Sequence, residues 1–146
     1  MRAVLDINII VSAALKRTSV PSRIVRSVLA GQHDLVISEA MMSELDEVLE
    51  RPHVKARVTE NHQREYLDLI RTRAVFFTPD DTTSGQADDD EDDIVLGTAV
   101  AGTGTGDIVT GNGRHKTGHY QDTVRPKWSA RYQLLRATTR MVTSGR

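Results

Sequence analysis

Ala3-Val4-Leu5-Asp6-Ile7-Asn8-Ile9-Ile10-Val11-Ser12-Ala13-Ala14-Leu15 sets a short apolar run, one acid and a longer apolar run in immediate succession. The first run, Ala3 to Leu5, reads as a buried strand. The second, carried by Ile9, Ile10, Val11, Ala13, Ala14 and Leu15, reads as a short helix. Asp6 then stands at the carboxyl end of a strand, where open α/β sheets present functional side chains. It also stands where a carboxylate caps the following helix, which is a purely structural use.

The same alternation continues downstream. Ser19 and Pro21 start a helix that carries Ile24, Val25, Val28 and Leu29 and stops at Gly31. Leu35-Val36-Ile37 is a second strand, and Ser38 caps a helix that runs to about Glu50, before Pro52. A further helix is expected from Glu60 to Arg73, and Val75-Phe76-Phe77 is a third strand. A polar loop with Pro79 and Gly85 leads to six consecutive acids, Asp88 to Asp93, and a helix over Ile94 to Ala101. Gly102 to Gly106 reads as a turn, Ile108-Val109 as a fourth strand, and Val124 as part of a fifth. Lys127 to Ala137 reads as a last helix, carrying Trp128, Tyr132, Leu134 and Leu135. Strands alternating with helices predict an α/β fold with a mostly parallel sheet of four or five strands. One domain over 1–146 is expected, with a core over about 1–137 and a flexible tail over 138–146.

Composition narrows the function classes. The chain has 146 residues, no cysteine and a formal net charge of -1. Disulfides, zinc–thiolate sites and thiol nucleophiles are excluded. Residues 1–100 carry 11 Lys/Arg against 18 Asp/Glu, whereas residues 101–146 carry 8 against 2. An acidic body with a basic end suits a metal site beside a polyanion-binding surface, or simply a solvated basic face. Asp6 interrupts any signal-peptide core and no stretch reaches membrane-spanning length, so a cytoplasmic protein without membrane contact is expected.

Two further acidic elements join Asp6. Glu44 lies between Met41 and Val48 at helical spacing, at the edge of an apolar face, where a carboxylate is costly unless it is paired or binds a cation. Glu47, one helical step on, competes for that position. In the run Asp88 to Asp93, one or two acids would satisfy a helix N-terminus. Asp93 is nearest the apolar helix body and is the first choice of inward ligand, with Asp92 second. Three carboxylate elements at one sheet edge suit a hard cation such as Mg²⁺ or Mn²⁺.

With these residues in place the chain resembles the PIN domain family, and in particular the VapC-like ribonuclease toxins of toxin–antitoxin systems. Val4 to Ala13 is similar to the family's opening motif, VLDTNVLVSA. Ile37-Ser38 through Leu49 resembles the second block, whose acid falls on Glu44. Asp89 to Ala101 resembles the third, whose metal-binding acid falls on Asp93. Ile108-Val109-Thr110-Gly111-Asn112 resembles the fourth. The resemblance implies a three-layer α/β/α fold and an Mg²⁺- or Mn²⁺-dependent endoribonuclease acting on RNA. It also implies frequent homodimers and a small antitoxin protein that blocks the site. By carry-over Asp6, Glu44 and Asp93 are catalytic metal ligands, Asn8 hydrogen-bonds around the site, and Asp92 and Asn112 lie in or next to the shell. The chain departs from the family in three places. Ile7 replaces a hydroxyl residue, Asn112 replaces a fourth acid, and Gly102 to Gly106 replaces the usual lead into the strand.

Two other functions compete. A phosphatase with an aspartate nucleophile would want an acid two residues after Asp6, where Asn8 stands. A catalytically weak or inactive binding module acting through a protein partner is the reading from another class, and the departures motivate it. Arg23 and Arg26 share a helical face that could touch phosphate, with solvated arginines as the default. Arg114, His115 and Lys116 could contact an RNA backbone, although a surface turn is more economical. His115 and His119 lie in a Gly-rich loop and are declined as metal ligands.

Overall fold

A computed structural model describes residues 2–81, 90–103, 107–110, 120–124 and 133–137. The opening stretch folds as its pattern demands. Strand β1 is Arg2–Leu5, and helix α1 follows at Ile7–Leu15 with Asp6 as its N-cap. Helix α2 (Val20–Leu29) is capped by Ser19, whose hydroxyl accepts from the Ser22 amide, and has Pro21 in its first turn. Gly31 ends it at φ 79°, a left-handed conformation that glycine adopts without a Cβ penalty. Strand β2 (Asp34–Ile37) runs into Ser38, which caps helix α3 (Glu39–Leu49) through the Met41 amide. Pro52 then opens the short helix α4 (Pro52–Lys55) rather than only ending the helix before it. Helix α5 (Glu60–Arg73), strand β3 (Val75–Phe76), helix α6 (Asp90–Thr103) and strand β4 (Asp107–Thr110) follow. Strands β5 (Tyr120–Val124) and β6 (Gln133–Ala137) complete the described elements.

The sheet order is β3-β2-β1-β4-β6-β5, six strands where four or five were expected. The first four are mutually parallel: Val4 pairs with Val36 and Ile108, and Ile37 pairs with Phe76. Strand β6 pairs antiparallel with both β4 and β5.

Two readings of the sequence need correction. Gln133 to Ala137, expected at the end of a last helix, is a strand registered against Asp107 to Thr110. Its residues favour helix locally, but pairing with β4 satisfies their backbone groups and overrides that preference. Gly102, read as a turn, lies inside α6. There the helix presses on β2, so close that a Cβ at this position would collide with Val36 Cγ1 and crowd the Phe77 ring at 3.1 Å. Residues 127–132 and the tail at 138–146 lie outside the described residues.

The core is built from the parallel strands and the helices that cross them. Val4, Val36, Ile37, Ile10, Ile24, Met41, Met42, Leu45, Ile70 and Ala99 are all sealed from solvent. Ile7 is buried in the same core, so the departure from a hydroxyl at that position is met by apolar packing. Gln63 is buried with them, and its amide nitrogen donates to the Leu49 and Val58 carbonyls, tying α5 to the ends of α3 and α4. Among the described residues no helix is long and apolar enough to cross a membrane.

Candidate active site

The strand order decides where a site can form. From β1 the chain winds outward to β2 and then β3, and only afterwards returns to place β4 on the other side of β1. The winding therefore reverses between β1 and β4. At such a switch point the two loops leaving the carboxyl ends diverge and open a crevice. Asp6 is the first residue after β1 at that point.

Asp6 does two things there. One carboxylate oxygen accepts from the Asn8 amide at 2.9 Å and caps α1. A carboxylate offers two oxygens with several lone pairs, so the cap bond is only one of the interactions that Asp6 can accept. Asp6 is half-buried, and Asn8 is exposed beside it.

Asp93 stands in the first turn of α6, which packs along β1. The guanidinium of Arg2, at the start of β1, donates to the Gly102 carbonyl at 3.5 Å, so the C-terminal end of α6 lies at the amino edge of the sheet. Gly102 to Asp93 spans about 13 Å of helix, and Arg2 to Asp6 spans about 13 Å of strand. Helix α6 connects two parallel strands of one sheet and so runs antiparallel to β1, which turns its acidic end toward the carboxyl edge where Asp6 lies. Asp93 is half-buried and shares a face with the buried Leu96 and Gly97. The helix is pinned in this position by the Asp80 amide, which donates to the Gly97 carbonyl at 3.0 Å.

Glu44 comes from α3, which packs against both α1 and α6. It is half-buried, with Met41 and Leu45 sealed beside it, while Glu47 is exposed. The burial separates the two glutamates that sequence spacing alone left in competition. Asp92 lies in the first turn of α6, and its side chain is outside what is described, as is the whole of Asn112. Arg114, His115, Lys116 and His119 also fall outside.

Among the described residues, no group of three His, Asp or Glu side chains is gathered closely enough to hold a metal ion. Most of the acidic run and Asn112, which adjoin the same edge in sequence, are not among them. The donor chemistry is nevertheless of one kind. Asp6, Glu44 and Asp93 offer only oxygen, and α3, which carries Glu44, touches both α1 and α6; such donors suit a hard divalent cation and not a soft one.

One contact had no counterpart in the sequence reading. An Arg17 guanidinium nitrogen lies 3.1 Å from His62 Nε2, across 45 residues. Only the packing of α2 on α5 reveals it.

A switch-point aspartate, a half-buried glutamate on α3 and an acidic α6 N-terminus are joined by a sequence match: the family model described as a PIN domain covers residues 2–114. This chain belongs to the PIN domain family. PIN domains are generally nucleases, and the matched span holds Asp6, Glu44 and Asp93 together. No curated protein and no solved structure matches the chain.

Proposed function

We propose that this PIN domain is an Mg²⁺- or Mn²⁺-dependent endoribonuclease that hydrolyses RNA phosphodiester bonds. The observation that supports the reading is Asp6 at the switch point between β1 and β4, with half-buried Glu44 on a helix that touches both α1 and α6. Asp6, Glu44 and Asp93 would hold the cation, with Asp92, Asn8 and Asn112 around them. Such an ion supplies a nucleophilic water near neutral pH and neutralises charge on the phosphate.

The protein's own contribution is placement. The N-cap bond fixes the Asp6 carboxylate against the start of α1. The apolar faces of α3 and α6 lower the local dielectric around Glu44 and Asp93, which strengthens their interaction with any cation between them. Right-handed crossovers would set α1 to α5 on one face of the sheet and α6 on the other, giving three layers. In this reading a strand of RNA would lie across the carboxyl edge of the sheet between them. We further propose a single domain that acts as the toxin of a toxin–antitoxin pair. It would be a homodimer in the cytoplasm, with a small antitoxin protein covering this edge.

The test uses Asp6→Asn, because asparagine caps a helix about as well as aspartate. The substitution removes the charge and keeps the fold. Wild type should cleave single-stranded RNA with Mg²⁺ or Mn²⁺, and Asp6→Asn should lose at least about 100-fold. Equal cleavage by the two would remove Asp6 from the site. Failure of wild type to cleave any RNA, with folding intact, would favour a binding module.

A further inference from the structure

Residues 7–33 contain no Asp or Glu, yet carry Lys16, Arg17, Arg23 and Arg26. The rest of residues 1–100 is strongly acidic, so the α1–α2 hairpin is a cationic island on an acidic body. All four basic side chains are exposed. Among the described residues, the ion pairs formed are Arg2–Asp34, Lys55–Glu50 and Arg71–Glu39, none of which involves the hairpin.

Two of the hairpin cations, Arg17 and Arg26, are held in place by neutral groups instead. Arg26 donates through Nε to the Ser22 carbonyl at 3.2 Å and through Nη2 to the Arg17 carbonyl at 2.9 Å. Arg17 in turn reaches His62 on α5. A guanidinium can only donate, so His62 Nε2 accepts and the ring proton sits on Nδ1, facing Thr59 Oγ1 at 3.3 Å. Arginines ordered by carbonyls and a neutral imidazole keep their full charge, together with donors for an oxyanion.

This patch is connected to the carboxylates. Asn8 and Ser12 fall at i, i+4 positions on α1, Lys16 is its C-cap, and all three are exposed. They form one polar stripe along the helix, starting beside Asp6 and ending about 15 Å away at the basic cluster. Amide and hydroxyl side chains, like arginine and lysine, are the usual partners of backbone phosphates.

We infer that the solvent face of the α1–α2 hairpin, with His62 of α5 alongside, is the phosphate-binding track that carries the RNA strand to the Asp6 carboxylate. The inference rests on the nuclease reading for its substrate, but not for its measurement. Binding of a fluorescein-labelled single-stranded oligoribonucleotide is followed by anisotropy across a salt series, in metal-free buffer, on the Asp6→Asn background. Cleavage plays no part. The triple variant Arg17→Gln, Arg23→Gln, Arg26→Gln should flatten the slope of log affinity against log salt by about 2, at about 0.7 for each lost phosphate contact.

Among the described residues Arg23 makes no hydrogen bond or ion pair through its side chain, so Arg23→Glu changes charge without loosening the hairpin and should weaken binding on its own. Arg71→Gln, at the far end of α5, should bind like its parent. An unchanged slope in the triple variant together with unchanged binding by Arg23→Glu would overturn the track, whatever the cleavage assay gives. Tighter binding of polyglutamate than of RNA at the same residues would also overturn it, in favour of an acidic protein partner. If Asp6→Asn cleaves like wild type while the slope change holds, the track stands and the catalytic assignment falls.

Discussion

The phenol of Tyr66 donates to the Ile10 carbonyl at 2.8 Å and fastens α5 to the helix that Asp6 caps. Burial raises its pKa, because the phenolate would lose solvation there. The sign of the effect on stability follows. Below about pH 10 the folded and unfolded tyrosine both keep their proton, and the contribution is constant. Above that, the unfolded tyrosine ionises and the folded one does not, so stability falls as pH rises toward the raised folded value. Tyr66→Phe removes that source of alkaline sensitivity and costs about 1 kcal/mol at neutral pH for the lost hydrogen bond. Urea midpoints of both proteins across the alkaline range should show wild type ahead at neutral pH and the gap narrowing above about pH 10. A gap constant with pH would mean that the ring is better solvated than its surroundings imply. The neighbouring Asp6 shows how one side chain serves two demands. Its cap bond would exist without any chemistry, so only removal of the charge alone separates the two roles.

At the scale of elements, the contact of α6 with β2 is the tightest constraint around the site. Gly102→Ala would drive a methyl into Val36, which is completely buried and cannot swing aside. Over-packing of this kind costs about 1 to 3 kcal/mol. Because α6 carries Asp93 at its other end, the variant should lose cleavage beyond what its stability loss explains. Thermal denaturation paired with an assay well below the melting point checks this, and a variant as stable as wild type would show that α6 can shift as a body. Gly102 also marks the limit of what the sequence revealed. Its isolated appearance before Thr103 and Gly104 reads as a turn, and only the approach to β2 explains a glycine inside a helix. Gln133 to Ala137 has no β-branched or aromatic residue, so nothing local announces a strand. By contrast β1, β2 and the Ser38 cap were legible, since apolar run and capping residue adjoin in each. The half-burial of Glu44 and Asp93 was legible by their spacing from Met41, Val48 and Leu96. The Arg17–His62 contact was not, because it depends on two helices distant in sequence.

At the scale of the whole chain, the proposed carboxylate site and the cationic hairpin adjoin one aspartate, and metal binding at that site would have a thermodynamic signature. An ion that binds the folded chain and not the unfolded one stabilises it by mass action, by about 2.7 kcal/mol when its concentration is 100 times the dissociation constant. For a chain of 146 residues that corresponds to a rise in melting temperature of roughly 5 to 10 °C. Mn²⁺ should produce such a rise in wild type, EDTA should reverse it, and Asp93→Asn should reduce it sharply. The hairpin variant Arg23→Glu should keep it, because the track binds phosphate rather than the cation. Scanning calorimetry on these three proteins distinguishes the sources of stabilisation. A rise of equal size in Asp93→Asn would move the ion to other acids of the run at 88–92. No rise in wild type at millimolar Mn²⁺ would leave the proposed carboxylates without their ion, and would remove with it the metal-dependent hydrolytic reading.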